Sequence, residues 1–298
     1  LARPRTGRRE RARRSRSQAE VLDLPDCGTT WITKLRYAPV GHGWSGPMIQ
    51  AVVLDYGHTI VDFVLSEAGL LVAYEEARGF LAGYLAAEAP SAAWLVERIA
   101  YRVEKRIEES YLRQDLQELD ILAEFAQCFS DLGLRVPESL VRQVAYLEHR
   151  ALIAEIHLQP ENAEALRALR ADGFRLGLVS NITLLGEWVR ESLHRLGLLD
   201  LFDVVILSSE EGVRKPHPRI YQAVLDRLEI PGPAAIFVGD RLREDVAGPQ
   251  AIGMRAVLTH QFRDEEPGPD TATPDAVIHR LAELPSVARA LRGASAQP

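Results

Sequence analysis

Short apolar segments alternate with amphipathic segments through the second half of this chain, and this alternation restricts the possible folds more than any other feature. Apolar runs rich in β-branched residues predict strands at 175–179, 204–207, 235–238 and 255–259. Segments with helical periodicity separate them, at 160–171, 184–196, 218–228 and 245–252. A further buried strand is predicted at 49–54, and an edge strand at 275–278 precedes a last helix to about 291. Such alternation predicts an α/β fold, in which a parallel sheet lies between two layers of helices.

The stretch between the first and second strands has a different pattern. Its apolar residues recur at helical spacing in four segments, 66–88, 91–113, 119–132 and 137–156. Four helices with short links predict a helical bundle inserted after the first strand. We therefore divide the chain into an α/β core, residues 48–64 and 158–298, and a helical segment, residues 65–157.

The N-terminal 47 residues differ from the rest in composition. Residues 1–20 contain eight arginines against two glutamates, a balance of +6, so the formal charge of −7 leaves −13 for the other 278 residues. We predict that residues 1–47 are a disordered basic extension and that Met48 is the natural start. Because the acidic remainder would repel a phosphate backbone, we expect no nucleic-acid partner.

Composition restricts the class of protein. The chain is 47% hydrophobic and 26% charged, which is typical of globular proteins. No apolar run approaches the ~18 residues that span a bilayer, and no apolar segment follows the basic N-terminus as it would in a secretory signal. Cys27 and Cys128 give neither a disulfide framework nor metal-ligand spacing. These features predict a cytoplasmic protein that does not bind membranes.

Polar residues stand where the predicted strands end. Asp55 follows the first strand, Ser180 and Asn181 follow the second, and Asp240 follows the strand at 235–238, while Lys215 lies in the loop after 204–207. Because ligands bind beyond the carboxyl ends of parallel strands, we expect these groups to meet at one edge of the sheet.

The chemistry of this set is that of phosphoryl transfer. Asp55, Asp240 and Asp245 supply three carboxylates, which suit a hard cation such as Mg²⁺. A carboxylate can also act as a nucleophile towards phosphorus and form an aspartyl phosphate. Lys215 and Ser180 would supply the positive charge and the hydrogen-bond donor that the phosphoryl oxygens need.

Four sequence motifs resemble those of the haloacid dehalogenase (HAD) superfamily. They are Asp55-Tyr56-Gly57-His58-Thr59 for motif I, Ser180-Asn181 for motif II, Gly212–Tyr221 for motif III and Val238–Gly248 for motif IV. The resemblance covers about residues 49–292. It implies a Rossmann-like three-layer core with a C1-type helical cap between motifs I and II, which agrees with the helical periodicity found there.

The resemblance also implies roles for individual residues. Asp55 would be the covalent nucleophile, and Lys215 would neutralise charge on the phosphate and the nucleophile. The implied metal ligands are Asp55, Gly57 through its carbonyl oxygen, Asp240 and Asp245, and the implied cofactor is Mg²⁺. The implied phosphate-binding residues are Ser180, Asn181 and Lys215. The expected activity is hydrolysis of a small phosphorylated metabolite through an aspartyl phosphate.

One position departs from the pattern of the superfamily's phosphatases. These enzymes usually carry a second aspartate two residues after the nucleophile, as general acid, and here Gly57 stands in its place. General acid–base assistance is typically worth ~10²–10⁴ in rate. The imidazole of His58 could deliver the proton, or it could only pack against the loop. A residue of the helical segment, water or the substrate could also supply the proton, and a good leaving group would need less assistance.

Two other functions remain open. A carbon–halogen hydrolase would need neither the acid nor a metal, but Asp240 and Asp245 argue against it because they would repel an anionic substrate. A non-catalytic protein that binds a phosphorylated ligand or a protein partner is the second alternative.

The substrate is not predicted by the sequence. Sugar phosphates, nucleoside monophosphates and phosphoglycolate-like acids all fit. Arg102, Lys105 and Arg106, on the second predicted helix of the segment, could bind an acidic substrate or could face solvent.

Overall fold

A computed structural model describes residues 48–63, 66–85, 88–113, 115–265 and 271–295. Residues 1–47, predicted to be a basic extension, lie outside the described residues, so that prediction is not tested.

The core is a six-stranded parallel sheet, as predicted. The strands in chain order are β1 (Ala51–Leu54), β2 (Asp62–Phe63), β3 (Ile156–His157), β4 (Arg175–Ser180), β5 (Val204–Leu207), β6 (Ala235–Gly239), β7 (Arg255–Thr259) and β8 (Ala276–Ile278). All except β2 and β3 join the large sheet, in the order β5-β4-β1-β6-β7-β8, and every pairing in it is parallel. Because β1 lies between β4 and β6, the residues that follow these three strands are neighbours.

Helices cover both faces of this sheet. The described helices are α1 (Glu67–Ala82), α2 (Ala92–Leu95), α3 (Tyr101–Tyr111), α4 (Ile121–Asp131), α5 (Glu138–Ala154), α6 (Pro160–Ala171), α7 (Gly186–Arg195), α8 (Ser208–Glu211), α9 (Pro218–Arg227), α10 (Gly248–Ala251) and α11 (Leu284–Ser295). Val52 and Leu54 pack with α6, α7 and α11 on one face of β1, whereas Ala51 and Val53 pack with α9 on the other. Burial on both faces explains why β1 is continuously apolar rather than alternating.

Helices α1–α5 form a separate bundle with its own apolar core, which we call the helical insert. Ser66 and Ser91 cap α1 and α2 by accepting hydrogen bonds from the backbone N–H groups of Gly69 (3.0 Å) and Trp94 (3.3 Å). The predicted helix 91–113 forms one helical run, in which a π-helical turn, Val96–Ala100, lies between α2 and α3.

A short antiparallel ribbon joins the two ends of the insert to the core. β2 pairs with β3, and the backbone N–H of Ser66 donates to Oε2 of Glu155 at 2.8 Å beside it. The sequence did not predict this ribbon, since two-residue strands are too short to show a period.

A buried ion pair fixes the insert to the core on another side. The Arg214 guanidinium donates to Oε1 of Glu118 at 3.0 and 2.8 Å, and these side chains are only 3% and 1% exposed. Ser110 accepts from Arg214 at 2.7 Å, and the Ser208 hydroxyl donates to the other oxygen of Glu118. Because Arg214 precedes Lys215, this contact ties the insert to the motif III loop.

Within the described part of the chain, no helix is long and apolar enough to cross a membrane. The cytoplasmic location stays a prediction.

Candidate active site

Four of the predicted site residues meet at one edge of the sheet. The Lys215 ammonium donates to Oδ1 of Asp55 and to Oδ1 of Asp245, both at 2.7 Å. Asp55, Asp240 and Asp245 each offer a carboxylate oxygen, and these oxygens lie within 4.8 Å of one another. All four side chains are buried. Groups separated by up to 190 positions in sequence therefore form one cluster.

The neighbouring strand ends hold Asp55 and Lys215 in place. The backbone N–H of Asp55 donates to the Val238 carbonyl at 2.9 Å, which continues the pairing of β1 with β6. The side chain of Asn181 accepts from the Lys215 N–H at 2.7 Å and donates to the Lys215 carbonyl at 3.1 Å. Asn181 thus positions Lys215, and its predicted role as a phosphate ligand stays a prediction.

A glycine makes room for Asp245. A Cβ at Gly239 would lie 2.2 Å from the carboxylate carbon of Asp245, so only glycine fits at the end of β6. The Arg241 N–H donates to Oδ2 of Asp245 at 3.0 Å, and a π-helical turn, Leu242–Ala247, returns the chain so that this carboxylate reaches the sheet edge. π-helical turns are frequent at functional sites.

The cluster carries excess negative charge. Burial and the charges of Asp55 and Asp245 raise the pKa of Asp240 to about 7, and burial raises the pKa of Asp245 although Lys215 lies beside it. Burial disfavours the charged form of Lys215, but Asp245 and Asp55 outweigh it and raise the pKa of its ammonium. Arg263 adds a second positive charge, with its Nε 2.7 Å from Oδ2 of Asp240.

The donor set fits the predicted magnesium ion. Three buried carboxylates converge, all offering the oxygen ligands that Mg²⁺ prefers, and two cationic side chains leave part of their charge uncompensated. Asp55, Asp240 and Asp245 would hold the ion. The predicted carbonyl ligand, Gly57, borders the same cavity as Asp55 and Asp240, and its role stays a prediction.

Comparison with known proteins assigns the chain to a family. A family model described as haloacid dehalogenase-like hydrolase matches residues 49–253. The chain belongs to this hydrolase family.

Two of the relatives with known names are phosphatases. Glyceraldehyde 3-phosphate phosphatase of Methanopyrus kandleri is 32% identical over 200 residues, which cover 61% of this chain and 85% of that protein. Glyceraldehyde 3-phosphate phosphatase of Pyrococcus abyssi is 36% identical over 114 residues, 38% of this chain and 46% of that protein, so the match spans about half of its length.

Solved structures of HAD proteins share the fold. A HAD phosphatase from Thermococcus onnurineus superposes with a TM-score of 0.51 at 26% identity, covering 80% of this chain and 97% of that one. A 2-haloacid dehalogenase from Pseudomonas syringae gives 0.58 at 24% identity, covering 82% and 99%. At 24% identity, the similarity to the dehalogenase shows only that the two chains share a fold.

The position where HAD phosphatases usually carry their general acid is occupied differently here. A Cβ at Gly57 would lie 2.6 Å from the ring of Phe63, so this ring takes the space of the usual aspartate side chain. The His58 ring stacks on Phe63 with ring centroids 5.1 Å apart, and its Nδ1 lies 3.1 Å from Oδ1 of Asp62. His58 has a φ of 56°, a left-handed conformation that costs a non-glycine residue roughly 1–3 kcal/mol. These contacts hold His58 in that conformation at the border of the cavity.

A cavity of about 450 Å³ lies between the core and the helical insert. On the core side it is bordered by Asp55, Ser180, Lys215 and Asp240, so the predicted nucleophile and the predicted phosphate ligands share one space. Ser180 ends β4 and is buried, next to Asn181.

The insert contributes a half-buried carboxyl group to the same cavity. Glu148 of α5 accepts a hydrogen bond from the Tyr74 hydroxyl at 2.8 Å. Burial raises the pKa of Glu148 to about 7, the hydrogen bond from Tyr74 opposes this rise, and Glu104 adds to it.

This pKa shift predicts a pH-dependent stability difference between the wild type and Glu148→Gln. The folded pKa of about 7 exceeds the ordinary value of 4.5, so protonation stabilises the fold below pH 4.5, and this stabilisation is lost as the pH rises through 7. Glutamine does not titrate, so Glu148→Gln loses no free energy of unfolding from this source over that pH range. We therefore expect the free energy of unfolding of Glu148→Gln, relative to wild type, to increase by roughly 2 kcal/mol between pH 5 and pH 8.

Thermal denaturation at both pH values measures this difference, with Glu109→Gln on the exposed side of α3 as the control. If the difference in free energy of unfolding between Glu148→Gln and wild type is the same at both pH values, the Glu148 carboxyl is not desolvated.

Several residues of the site were not predicted from the sequence. Glu148 carried a usable signal, since it interrupts the apolar stripe formed by Val141, Val144, Ala145 and Leu152 on α5. Arg263 lies after the end of β7. Its position was therefore a signal of the same kind as that of Asp55 after β1.

Proposed function

We propose that this chain is a Mg²⁺-dependent phosphatase of a small phosphorylated metabolite, with Asp55 as its covalent nucleophile. The observation that carries the proposal is the convergence of Asp55, Lys215 and two further carboxylates beside one cavity. The named phosphatase relatives support it, and their shared substrate, glyceraldehyde 3-phosphate, supports a small sugar phosphate as the kind of molecule hydrolysed.

The residues suggest a two-step reaction. A carboxylate oxygen of Asp55 attacks phosphorus, the bond from phosphorus to the ester oxygen breaks, and the leaving alkoxide takes up a proton. Water then attacks phosphorus of the aspartyl phosphate, which releases inorganic phosphate and regenerates Asp55. Lys215 neutralises charge on Asp55 and the phosphoryl oxygens, and Ser180 donates to one of these oxygens. A bound Mg²⁺ would offset the negative charge of the phosphoryl oxygens and the carboxylates.

We propose that the helical insert serves as a C1-type cap, with bounds near residues 65 and 157. The β2–β3 ribbon joins both ends of the insert to the core, and side chains of the insert line the same cavity as Asp55.

The carboxylate cluster favours a phosphatase over a dehalogenase. Three carboxylates in one buried site would repel an anionic haloacid unless a cation neutralised them, and carbon–halogen hydrolysis on an aspartate needs no such cation.

Metal dependence tests the proposal. Hydrolysis of p-nitrophenyl phosphate should require Mg²⁺, should stop in excess chelator and should return when Mg²⁺ is added. Asp240→Asn removes one carboxylate from the cluster, so it should raise the Mg²⁺ concentration for half-maximal rate by at least about tenfold.

Two results would contradict this proposal. Turnover that persists in excess chelator would indicate metal-independent chemistry. A folded protein that binds phosphate esters but hydrolyses none of them would indicate a binding protein.

We further propose that His58 protonates the leaving group in place of the missing aspartate. Its Nδ1 is engaged by Asp62, which leaves Nε2 for the proton transfer. His58→Ala should therefore slow an alkyl phosphate by roughly 10²-fold but p-nitrophenyl phosphate by less than about threefold, since a good leaving group needs no proton.

A series of aryl and alkyl phosphates measures this dependence, with the exposed His194→Ala as the control. If His58→Ala slows all esters equally, His58 only packs against the loop.

A further inference from the structure

We infer that Glu148 binds a hydrogen-bond donor, a hydroxyl or an ammonium group, at the end of the substrate remote from the phosphate, and that the insert side of the cavity excludes a second anionic group. This inference rests on the proposed phosphatase function and narrows its substrate class.

Glu148 is an acceptor on the insert side of the cavity, with apolar side chains around it. Leu70, Ile107, Phe125 and Leu152 border the cavity around it. The Tyr74 hydroxyl donates a hydrogen bond to Oε2 of Glu148, and Oε1 makes no hydrogen bond within the described part of the chain. Glu148 is half-buried and borders the cavity, so a donor on a bound molecule would gain a hydrogen bond to the free Oε1.

A second acceptor borders the same cavity. His149 is 3% exposed, and its Nε2 lies 3.2 Å from the carbonyl oxygen of Trp188, which fixes the proton on Nε2. Burial lowers the pKa of His149 to about 4, so the ring is neutral. Its Nδ1 is then a buried acceptor without a partner among the described residues.

Positive charge is missing from this side of the cavity. Glu104 borders it together with Glu148, and no lysine or arginine of the described part of the insert does so. Arg102 and Arg106 pair instead with Asp131 and, for Arg106, with Glu124. The sequence-based suggestion that these arginines bind an acidic substrate is therefore not supported by their contacts.

The charge distribution selects among the possible substrates. The cations that border the cavity, Lys215, Arg241 and Arg263, all belong to the core, where the phosphate would bind. A carboxylate or second phosphate at the far end would meet the like charges of Glu104, which is exposed, and of the half-buried Glu148, with no cation of the described part of the insert beside them. This disfavours phosphoglycolate-like acids and bisphosphates, and it favours phosphomonoesters that carry hydroxyl or amine groups.

Matched substrates test the inference. Alkyl phosphates of three to five carbons, ending in a methyl, hydroxyl, ammonium or carboxylate group, would be compared by kcat/KM with Mg²⁺. We expect the best hydroxyl or ammonium ester to exceed the methyl ester of equal length by about 10–100-fold, the value of a hydrogen bond to a charged group. The carboxylate ester should fall at least about tenfold below the methyl ester.

Variants assign this preference to Glu148. Glu148→Leu removes the acceptor and the charge, so the ratio of kcat/KM between the donor-bearing and methyl esters should fall towards one. Glu148→Gln should abolish the preference for ammonium and reduce the discrimination against carboxylate. Glu109→Gln, on the exposed surface of α3, should leave all ratios unchanged.

The possible outcomes separate this inference from the proposed function. If p-nitrophenyl phosphate is hydrolysed but the carboxylate esters match the donor-bearing ones, or Glu148→Leu leaves the ratios unchanged, the inference is overturned and the phosphatase stands. If no ester is hydrolysed, the phosphatase fails. Calorimetric binding of the same esters to Asp55→Asn then decides the inference, since the same ranking of affinities supports it and any other ranking overturns it.

Discussion

Replacing Asp55 with asparagine should lower kcat for p-nitrophenyl phosphate by roughly 10⁴-fold or more, because the amide oxygen is a far weaker nucleophile than the carboxylate. The fold should survive, since asparagine has nearly the same shape and Lys215 keeps its ion pair with Asp245. Steady-state kinetics with saturating Mg²⁺ measures the loss, and a melting curve checks the fold.

Asp172→Asn is the matched control for this variant. Asp172 precedes β4 at the opposite edge of the sheet and pairs with Arg289 at the surface, so its replacement should change kcat by less than about twofold. If Asp55→Asn keeps more than about a tenth of the wild-type rate, Asp55 is not the nucleophile.

Removing the buried carboxylate of Glu118 should have the largest effect on stability. Glu118→Gln leaves the Arg214 guanidinium buried without its counter-ion, and breaking a buried pair in this way costs about 3–5 kcal/mol. For a chain of this size that loss corresponds to a fall in melting temperature of roughly 10 °C. Differential scanning calorimetry in the presence of Mg²⁺ measures this fall in melting temperature.

An exposed ion pair between the insert and the core provides the comparison. Arg142 of α5 pairs with Glu187 of α7, and both side chains are more than 40% exposed. Glu187→Gln should therefore cost less than about 1 kcal/mol. Equal effects of Glu118→Gln and Glu187→Gln would show that the Glu118–Arg214 pair does not fix the insert.

The sequence was sufficient to predict the sheet and the cluster of Asp55, Lys215 and Asp240. Strands buried on both faces give continuous apolar runs, so the bounds of β1, β4, β5, β6 and β7 were each predicted within two residues. Because ligands bind beyond the carboxyl ends of parallel strands, the sequence also predicted Asp55, Lys215 and Asp240 at one edge of the sheet.

The docking of the insert and the surroundings of Gly57 were not predicted, because they depend on contacts that hydrophobic periodicity does not encode. The Glu118–Arg214 pair joins a loop of the insert to the motif III loop, 96 positions apart, and each residue alone looks like an ordinary surface charge. Likewise, the absence of the usual aspartate at Gly57 was visible in the sequence, but the Phe63 ring that fills its space was not. Such pairings arise from how the insert and its ribbon dock on the core.

The central claim is that Asp55 becomes phosphorylated during turnover, within a cluster that includes Lys215, Asp240 and Asp245. Acid quenching of the enzyme during hydrolysis of p-nitrophenyl phosphate with Mg²⁺, followed by peptide mass spectrometry, tests it directly. The account predicts one phosphoryl group on the peptide that contains Asp55, and none when chelator replaces Mg²⁺. Phosphorylation of a different residue, or rapid turnover with Asp55 always unmodified, would contradict it.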